Sequence, residues 1–231
     1  MIKICLTALA VFMLFTSNVF AHDLWLEKTG GKLVLMYGHP DRLETYNPEW
    51  VKDVRGYDRF RKKVPLVLKQ EEGKVSFISK REPAMLSLLL DSGYWTKTVD
   101  GLRNVSKRGV TDYIEACHYV EPVKGIFRWS ERFTAPIGTR LEIVPQKNPL
   151  KLKQGENLPI KVLFEGKPLA GAVITANGEL TGMKSGKDGA AMVMIEGKGL
   201  HIFAARHKVR LKDDPDADTL VLRANLSFEV K

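Results

Sequence analysis

Alternation of apolar and polar positions dominates the chain after about residue 22. Residues 24–26 and 32–37 flank Thr29-Gly30-Gly31, which predicts two strands joined as a hairpin. Residues 42–63 are polar, charged and aromatic, and they predict an irregular excursion with one short helix near residues 48–54. The sequence therefore predicts a hairpin after residue 22, followed by an irregular segment.

The middle of the chain contains further short strand patterns. Residues 64–68 and 74–79 are expected to be strands around a turn, and residues 84–90 and 94–99 are expected to be two separate strands. Residues 102–117 fit a strand or a helix, and the pattern does not choose between them.

The C-terminal part shows the clearest period of two. Strands are predicted at residues 158–165, 172–176, 190–195 and 200–207, separated by turns rich in Gly, Pro and Asp. The last predicted strand, residues 220–230, places six apolar side chains on one face: Leu220, Leu222, Ala224, Leu226, Phe228 and Val230. The fold class is predicted as all-β, with two antiparallel β-sandwich-like domains, an N-terminal β-rich domain at 22–138 and a C-terminal sandwich at 139–231.

Residues 1–21 have the pattern of a cleaved signal peptide. Lys3 gives a positive start, residues 4–15 are apolar or weakly polar, and Val19 and Ala21 occupy the −3 and −1 positions of a cleavage site. The apolar run is shorter than the about 20 residues that span a bilayer, and a short membrane anchor is the alternative. We expect cleavage after Ala21 and export, with no transmembrane segment in the mature chain.

Composition adds limits to this picture. The 231 residues are 44% hydrophobic and 27% charged, which is ordinary for a globular protein and excludes wholesale disorder. Loss of Lys3 lowers the net charge from +9 to +8, and loss of Cys5 leaves Cys117 alone, so no intrachain disulfide is expected. A basic, partly aromatic stretch at 55–63 would suggest nucleic acid in a cytosolic protein, but export argues against such a partner.

Cleavage after Ala21 would make His22 the first residue of the mature chain. Its α-amino group and its imidazole Nδ1 would then form a chelate around one metal ion, because the amine has an ordinary pKa near ~8 and deprotonates readily for a metal. A histidine placed after the cut by chance is the alternative. Imidazole and amine donors suit Zn, Cu, Fe and Ni.

The other histidines differ in how well they fit such a site. His39 lies between Gly38 and Pro40 after an apolar strand, and a hairpin would place it beside His22. His207 ends a strand and is the third predicted ligand. For His39 and for His207, the alternative is a turn or packing role without a metal. His118 is a secondary candidate, Asp23 is expected to orient an imidazole, and Cys117 reads as a small buried residue. His201 reads as a packed histidine.

Five segments occur in an order that resembles a known family: Ala21-His22-Asp23-Leu24-Trp25-Leu26, Tyr37-Gly38-His39-Pro40, Leu141-Glu142-Ile143-Val144-Pro145, Gly166-Lys167-Pro168-Leu169-Ala170-Gly171 and Ala205-Arg206-His207. The family consists of uncharacterised exported bacterial proteins described as the periplasmic component of ABC-type cobalt or nickel transport. The resemblance covers the whole mature chain. It implies a periplasmic location, nickel or cobalt as the bound metal, and an inner-membrane metal transporter as partner. Its Gly-Lys-Pro turn also occurs in prealbumin-like sandwiches.

The sequence hypothesis is therefore a non-enzymatic, periplasmic transition-metal binding protein whose metal ligands are His22, His39 and His207. Nickel or cobalt follows from the resemblance, and copper or zinc suits the same donors. Two alternatives stay open: a β-sandwich adhesion or interaction module without metal, and a copper enzyme that uses an amino-terminal histidine brace. The pattern does not define the oligomeric state.

Overall fold

The computed structural model describes residues 22–71 and 73–231, so the predicted signal peptide lies outside the described residues. Short 3-10 helices occur at Pro48–Trp50, Glu131–Thr134 and Pro149–Lys151. In chain order the strands are β1 (Asp23–Thr29), β2 (Lys32–His39), β3 (Arg42–Leu43), β4 (Val51–Tyr57), β5 (Lys63–Val64), β6 (Val67–Glu71), β7 (Lys74–Ile78), β8 (Met85–Thr98), β9 (Gly101–Arg103), β10 (Tyr113–Ile126), β11 (Leu141–Pro145), β12 (Asn157–Phe164), β13 (Lys167–Pro168), β14 (Val173–Ala176), β15 (Glu179–Lys184), β16 (Ala190–Met194), β17 (Gly199–Arg210) and β18 (Thr219–Val230).

The strands form three sheets, which confirms the all-β prediction. The N-terminal sheet has the order β1-β2-β7-β6, with β3 beside β2. The central sheet has nine strands in the order β15-β14-β17-β18-β10-β8-β4-β5, with β9 beside β8. The C-terminal sheet contains β11, β12, β13 and β16. No helix in the described ranges is long and apolar enough to cross a membrane.

The first hairpin forms as the sequence predicts. Gly30 and Gly31 both adopt positive φ, at 58° and 76°, in the two-residue turn between β1 and β2. Such turns match the twist of the flanking strands and require residues that tolerate positive φ. The β1–β2 register is therefore fixed by the turn.

Two apolar layers separate the three sheets. One cluster lies between the N-terminal and central sheets and includes Leu24, Leu35 and Val123. A larger cluster lies between the central and C-terminal sheets and includes Phe203 and Val162. All six apolar residues predicted to share one face of β18 lie in the larger cluster, so this prediction is confirmed. The opposite face of β18 contacts the N-terminal sheet, where the Ser227 hydroxyl bonds the backbone of Leu26.

Three local expectations differ from the structure. The two strands predicted at 84–90 and 94–99 are one continuous strand, β8, whose pairing with β10 shifts register between Tyr119 and Val120. The helix expected near residues 48–54 is only the 3-10 turn Pro48–Trp50, followed by β4. The ambiguous segment 102–117 contains the end of β9, a loop and the start of β10.

A parallel pair links the two predicted domains. Strand β10, from the N-terminal part, pairs in parallel with β18, from the C-terminal end, with Cys117 opposite Thr219 and Ile126 opposite Phe228. The other strand pairs are antiparallel. The central sheet thus takes strands from both sides of residue 138. The division into two domains stays a prediction.

A buried ion pair joins the central sheet to the C-terminal sheet. The Lys124 ammonium lies 2.6 Å from the Glu142 carboxylate and 3.0 Å from the Ile143 carbonyl oxygen. Glu142 also accepts hydrogen bonds from the backbone N–H groups of Ile137 and Gly138. Burial lowers the pKa of Lys124, against the opposing effect of Glu142. Removing one partner would leave a buried charge without compensation.

We predict that Glu142→Gln lowers the free energy of unfolding by about 3–5 kcal/mol, because the Lys124 ammonium stays buried without its counter-ion. The double variant Lys124→Met/Glu142→Gln should recover most of this loss. Arg140→Gln is a matched control, since it breaks an exposed pair with Glu165 and should cost about 1 kcal/mol or less. Urea unfolding measures the free energy of unfolding of all three variants. Equal effects of Glu142→Gln and Arg140→Gln would contradict the prediction.

Candidate functional site: the His22–His39 site

The first hairpin places His22 beside His39. Asp23 pairs with Gly38 in the β1–β2 ladder, so His22 and His39 stand opposite each other one position further along. The two imidazole rings have centroids 5.5 Å apart and an interplanar angle of 77°. The sequence-based expectation that these two histidines are neighbours is therefore confirmed.

Both nitrogens of the His22 ring have polar neighbours. Nε2 lies 3.1 Å from the Glu44 carboxylate, and Nδ1 lies 3.1 Å from the Tyr37 hydroxyl. Burial raises the pKa of Tyr37, and the negative charges of Glu121 and Glu44 add to this effect. The phenol therefore keeps its proton and donates a hydrogen bond to Nδ1 when the Nε2–H faces Glu44. This arrangement directs Nδ1 of His22 away from Glu44.

A buried arginine from the C-terminal strand holds the start of β1. Arg223, on β18, donates one guanidinium N–H to the Asp23 carboxylate and another to the backbone carbonyl of His22. Asp23 is fully buried and Arg223 is 7% exposed. The other Asp23 oxygen, Oδ2, has no hydrogen-bond partner in the described part of the chain. The backbone of His22 is thus fixed by an interaction across 201 residues of sequence.

The surroundings of Asp23 affect the pKa of its carboxyl group in opposite directions. Burial raises the pKa of its carboxyl group, while Arg223 lowers it through charge and a hydrogen bond, and His39 and His22 lower it further when protonated. The balance leaves the pKa above its ordinary value. The Asp23 carboxylate therefore gains from any additional positive charge placed at the two histidines.

The turn between β14 and β15 lies against the same site. Asn177 and Gly178 form it with φ of 49° and 84°, the backbone of a two-residue hairpin turn. A Cβ at Gly178 would lie 3.2 Å from His39 Nδ1 and 3.3 Å from Asp23 Oδ2. Glycine at this position leaves room for both the His39 ring and the unpartnered carboxylate oxygen.

His207 does not belong to this group, which corrects the expectation that three histidines meet. Its ring contacts Phe164 of the C-terminal sheet, with centroids 4.8 Å apart. Its neighbour Arg206 lines the cavity beside His22, and adjacent residues on a strand point to opposite faces. His207 therefore lies on the far face of the central sheet. Burial lowers its pKa.

His118, Cys117 and His201 also lie away from this site. His118, on β10, is bonded through Nε2 to Asp91 at 2.8 Å, and its ring centroid lies 4.7 Å from that of Tyr94. Cys117 is buried, and burial raises the pKa of its thiol, as expected for a small core residue. His201 is 2% exposed and stacks on Phe228 at 5.7 Å, which confirms it as a packed histidine.

The described side chains alone do not form a cluster of three metal ligands. Within residues 22–71 and 73–231, no group of three or more His, Cys, Asp or Glu side chains is arranged to hold a metal ion. The α-amino group of the sequence hypothesis would arise by cleavage at the bond between Ala21 and His22. Ala21 lies outside the described residues.

Sequence reasoning missed four neighbours of the two histidines. Tyr37 lies in a strand pattern that looked purely structural, and Glu44 lies in a segment expected to be irregular. Arg223 is the lone charged residue in the alternating run at 220–228, which was a usable signal that its side chain needs a buried partner. Asn177-Gly178 is a recognisable hairpin turn, but its contact with β1 depends on the fold.

Comparison with known proteins gives a family but no activity. The model of a family described as "Domain of unknown function (DUF4198)" matches residues 19–209. The chain belongs to this family. No curated protein matches the sequence. In the crystal structure of Dscam1 isoform 4.4, N-terminal four Ig domains, a chain aligns at 13% identity with a TM-score of 0.19, covering 89% of the present chain and 47% of its own length.

The stability of this DUF4198 protein should depend strongly on Arg223. We predict that Arg223→Met lowers the free energy of unfolding by about 3–5 kcal/mol, because Asp23 keeps its buried carboxylate without a partner. Adding Asp23→Asn should restore part of the loss, since the buried group is then neutral. Arg210→Met, which removes an exposed arginine on β17, is the control and should change stability little. An Arg223→Met protein as stable as the control would contradict this role.

We predict that Gly178→Ala perturbs the His22–His39 site, whereas Gly182→Ala does not. Both glycines have positive φ, 84° and 72°, so both variants have a backbone penalty of about 1 kcal/mol or more. Only the Gly178 variant places a methyl group against His39 and Asp23, because nothing lies within 4 Å of a Cβ at Gly182. Imidazole NMR shifts of His39 report the difference. Identical His39 spectra in both variants would show that the turn does not contact the site.

Proposed function

We propose that this protein is a periplasmic, non-enzymatic binding protein for a divalent transition metal, with its N-terminus at His22 after signal-peptide cleavage. The metal ligands are the α-amino nitrogen, the His22 imidazole and the His39 imidazole. The observation that carries this proposal is the 5.5 Å separation of the His22 and His39 rings at the start of the first hairpin. Cleavage after Ala21 would place a third nitrogen donor at the same point.

The neighbours of His22 suit this role. The chelate uses Nδ1, which now accepts from the Tyr37 hydroxyl, and leaves Nε2–H bonded to Glu44. A carboxylate on the second nitrogen of a metal-bound imidazole fixes the tautomer and raises the basicity of the ligating nitrogen. Glu44 supplies such a carboxylate. A metal at Nδ1 would replace the hydrogen bond from Tyr37.

The neighbours of His39 also suit a cation. The unpartnered Asp23 Oδ2 and His39 Nδ1 are both within 3.3 Å of one point at Gly178. Positive charge at the two histidines favours the ionised form of Asp23. A bound divalent ion therefore supplies charge that the buried carboxylate lacks. Arg223 holds the His22 carbonyl, so the first residue is positioned before the metal arrives.

The donor set narrows the choice of metal. Three nitrogen donors favour the later divalent metals, with Cu(II) highest in the general affinity order. The family resemblance described above favours nickel or cobalt as the physiological ion, and an inner-membrane metal transporter as the partner that receives it. The mature net charge of +8 gives no long-range attraction for cations, so the affinity depends on these local nitrogens.

We predict that the processed protein binds Ni(II), Co(II), Cu(II) and Zn(II) in isothermal titration, and that one alanine inserted before His22 weakens binding by at least ~10-fold. The insertion removes the amine from the chelate and leaves the hairpin intact. His39→Asn should have an effect of similar size, because it removes the third donor.

His207→Phe is the matched control, since His207 lies on the other face of the central sheet. It should leave the affinity unchanged. Equal affinities in the processed and alanine-extended proteins would refute the amino-terminal site. A loss of affinity in His207→Phe comparable to that in His39→Asn would refute the choice of ligands.

A further inference from the structure

A cavity of about 370 Å³ opens beside His22, between the N-terminal and central sheets. This volume lies at the lower end of the range for small-molecule sites. Five of the residues that line it are Tyr or Trp: Tyr37, Tyr46, Trp50, Trp95 and Tyr119. Elements distant in sequence supply these residues, so the cavity is a product of the whole fold and not of one loop.

The two tryptophans define the apolar side of the cavity. Trp50 is the last residue of the 3-10 turn before β4 and Trp95 lies on β8, and their rings meet edge to face with centroids 6.3 Å apart. Leu90 and Val221 complete this wall. An apolar wall built from flat rings favours a ligand with a flat apolar body, because rings prefer offset or edge-to-face packing against other rings.

The charged side of the cavity contains two arginines in different states. Arg223 is already paired with Asp23 and lies 3.8 Å from Glu121. Arg206, on β17, is exposed and lines the same cavity. Among the residues that the structure describes it has no hydrogen-bond or ion-pair partner, and its charge acts on Glu121 at longer range. Its guanidinium therefore has its full set of donors available for a ligand.

The carboxyl group of Glu121 is a poor partner for a cationic ligand, for two reasons. Burial raises the pKa of its carboxyl group, and the opposing charge of Arg223 does not cancel this effect. Its Oε2 already accepts a long hydrogen bond from the Asn225 side chain, at 3.4 Å. The cavity thus combines an uncommitted guanidinium with a carboxyl group that is engaged and less readily ionised.

We infer that this cavity binds a small aromatic carboxylate, with its ring against Trp50 and Trp95 and its carboxylate on Arg206. A guanidinium offers a carboxylate two parallel N–H donors, which gives orientation as well as affinity. The inference extends beyond the proposed metal site, because the wall and Arg206 are present in the metal-free chain. It therefore stands or fails independently of metal binding.

The test uses metal-free protein, titrated with 2-naphthoate in a calorimeter. We expect binding that Arg206→Gln weakens by at least ~10-fold, the effect of losing a charged hydrogen-bond pair. Lys208→Gln is the matched control, because it removes one positive charge from the same strand outside the cavity wall. That variant should bind as the parent does. Trp95→Leu should also weaken binding of 2-naphthoate, and Arg206→Gln should still weaken the binding that remains.

A cation of the same ring system, 2-naphthylmethylammonium, tests the sign of the charge. We expect it to bind at least ~10-fold more weakly than the acid. Failure of 2-naphthoate to bind, equal losses in Arg206→Gln and Lys208→Gln, or tighter binding of the ammonium compound would each overturn the inference. None of these outcomes affects the metal proposal, which is measured with the alanine-extended protein.

Discussion

The contact between Arg223 and the first residues of β1 determines where the N-terminal part of the structure lies. Arg223 is nearly buried, and it contacts a fully buried carboxylate and the backbone carbonyl of His22 at the same time. A buried charge pair of this kind costs desolvation, so it adds little net stability but allows few alternative arrangements. The N-terminal sheet is thereby held against the central sheet at the point where His22 meets His39.

This constraint connects the two sites proposed for the protein. Arg223 contacts the His22 carbonyl and Asp23, and both Arg223 and His22 line the aromatic cavity. The charges of Asp23, Arg223 and Glu121 form one chain, in which the first carboxylate faces the two histidines and the second faces the cavity. A metal ion and an organic acid would thus bind next to the same buried arginine.

Local patterns predicted the elements of this fold, but not how distant elements meet. The turn at Gly30-Gly31 and the alternation along β18 gave the hairpin, the His22–His39 proximity and the inner face of the last strand. The parallel pairing of β10 with β18 could not be predicted, because it joins segments about 100 residues apart with no local signal. His207 shares its parity along β17 with Phe203 and Ala205, so the alternation already indicated that it faces the core.

The central claim is that the metal is held by two imidazoles and the amino group of His22. Pulsed electron paramagnetic resonance of the Cu(II)-loaded, processed protein, grown with histidine labelled with ¹⁵N only in the ring, tests it directly. The account predicts two directly bound ¹⁵N nuclei and one ¹⁴N nucleus from the amine. A spectrum with a single ring nitrogen, or with no directly bound ¹⁴N, would contradict it.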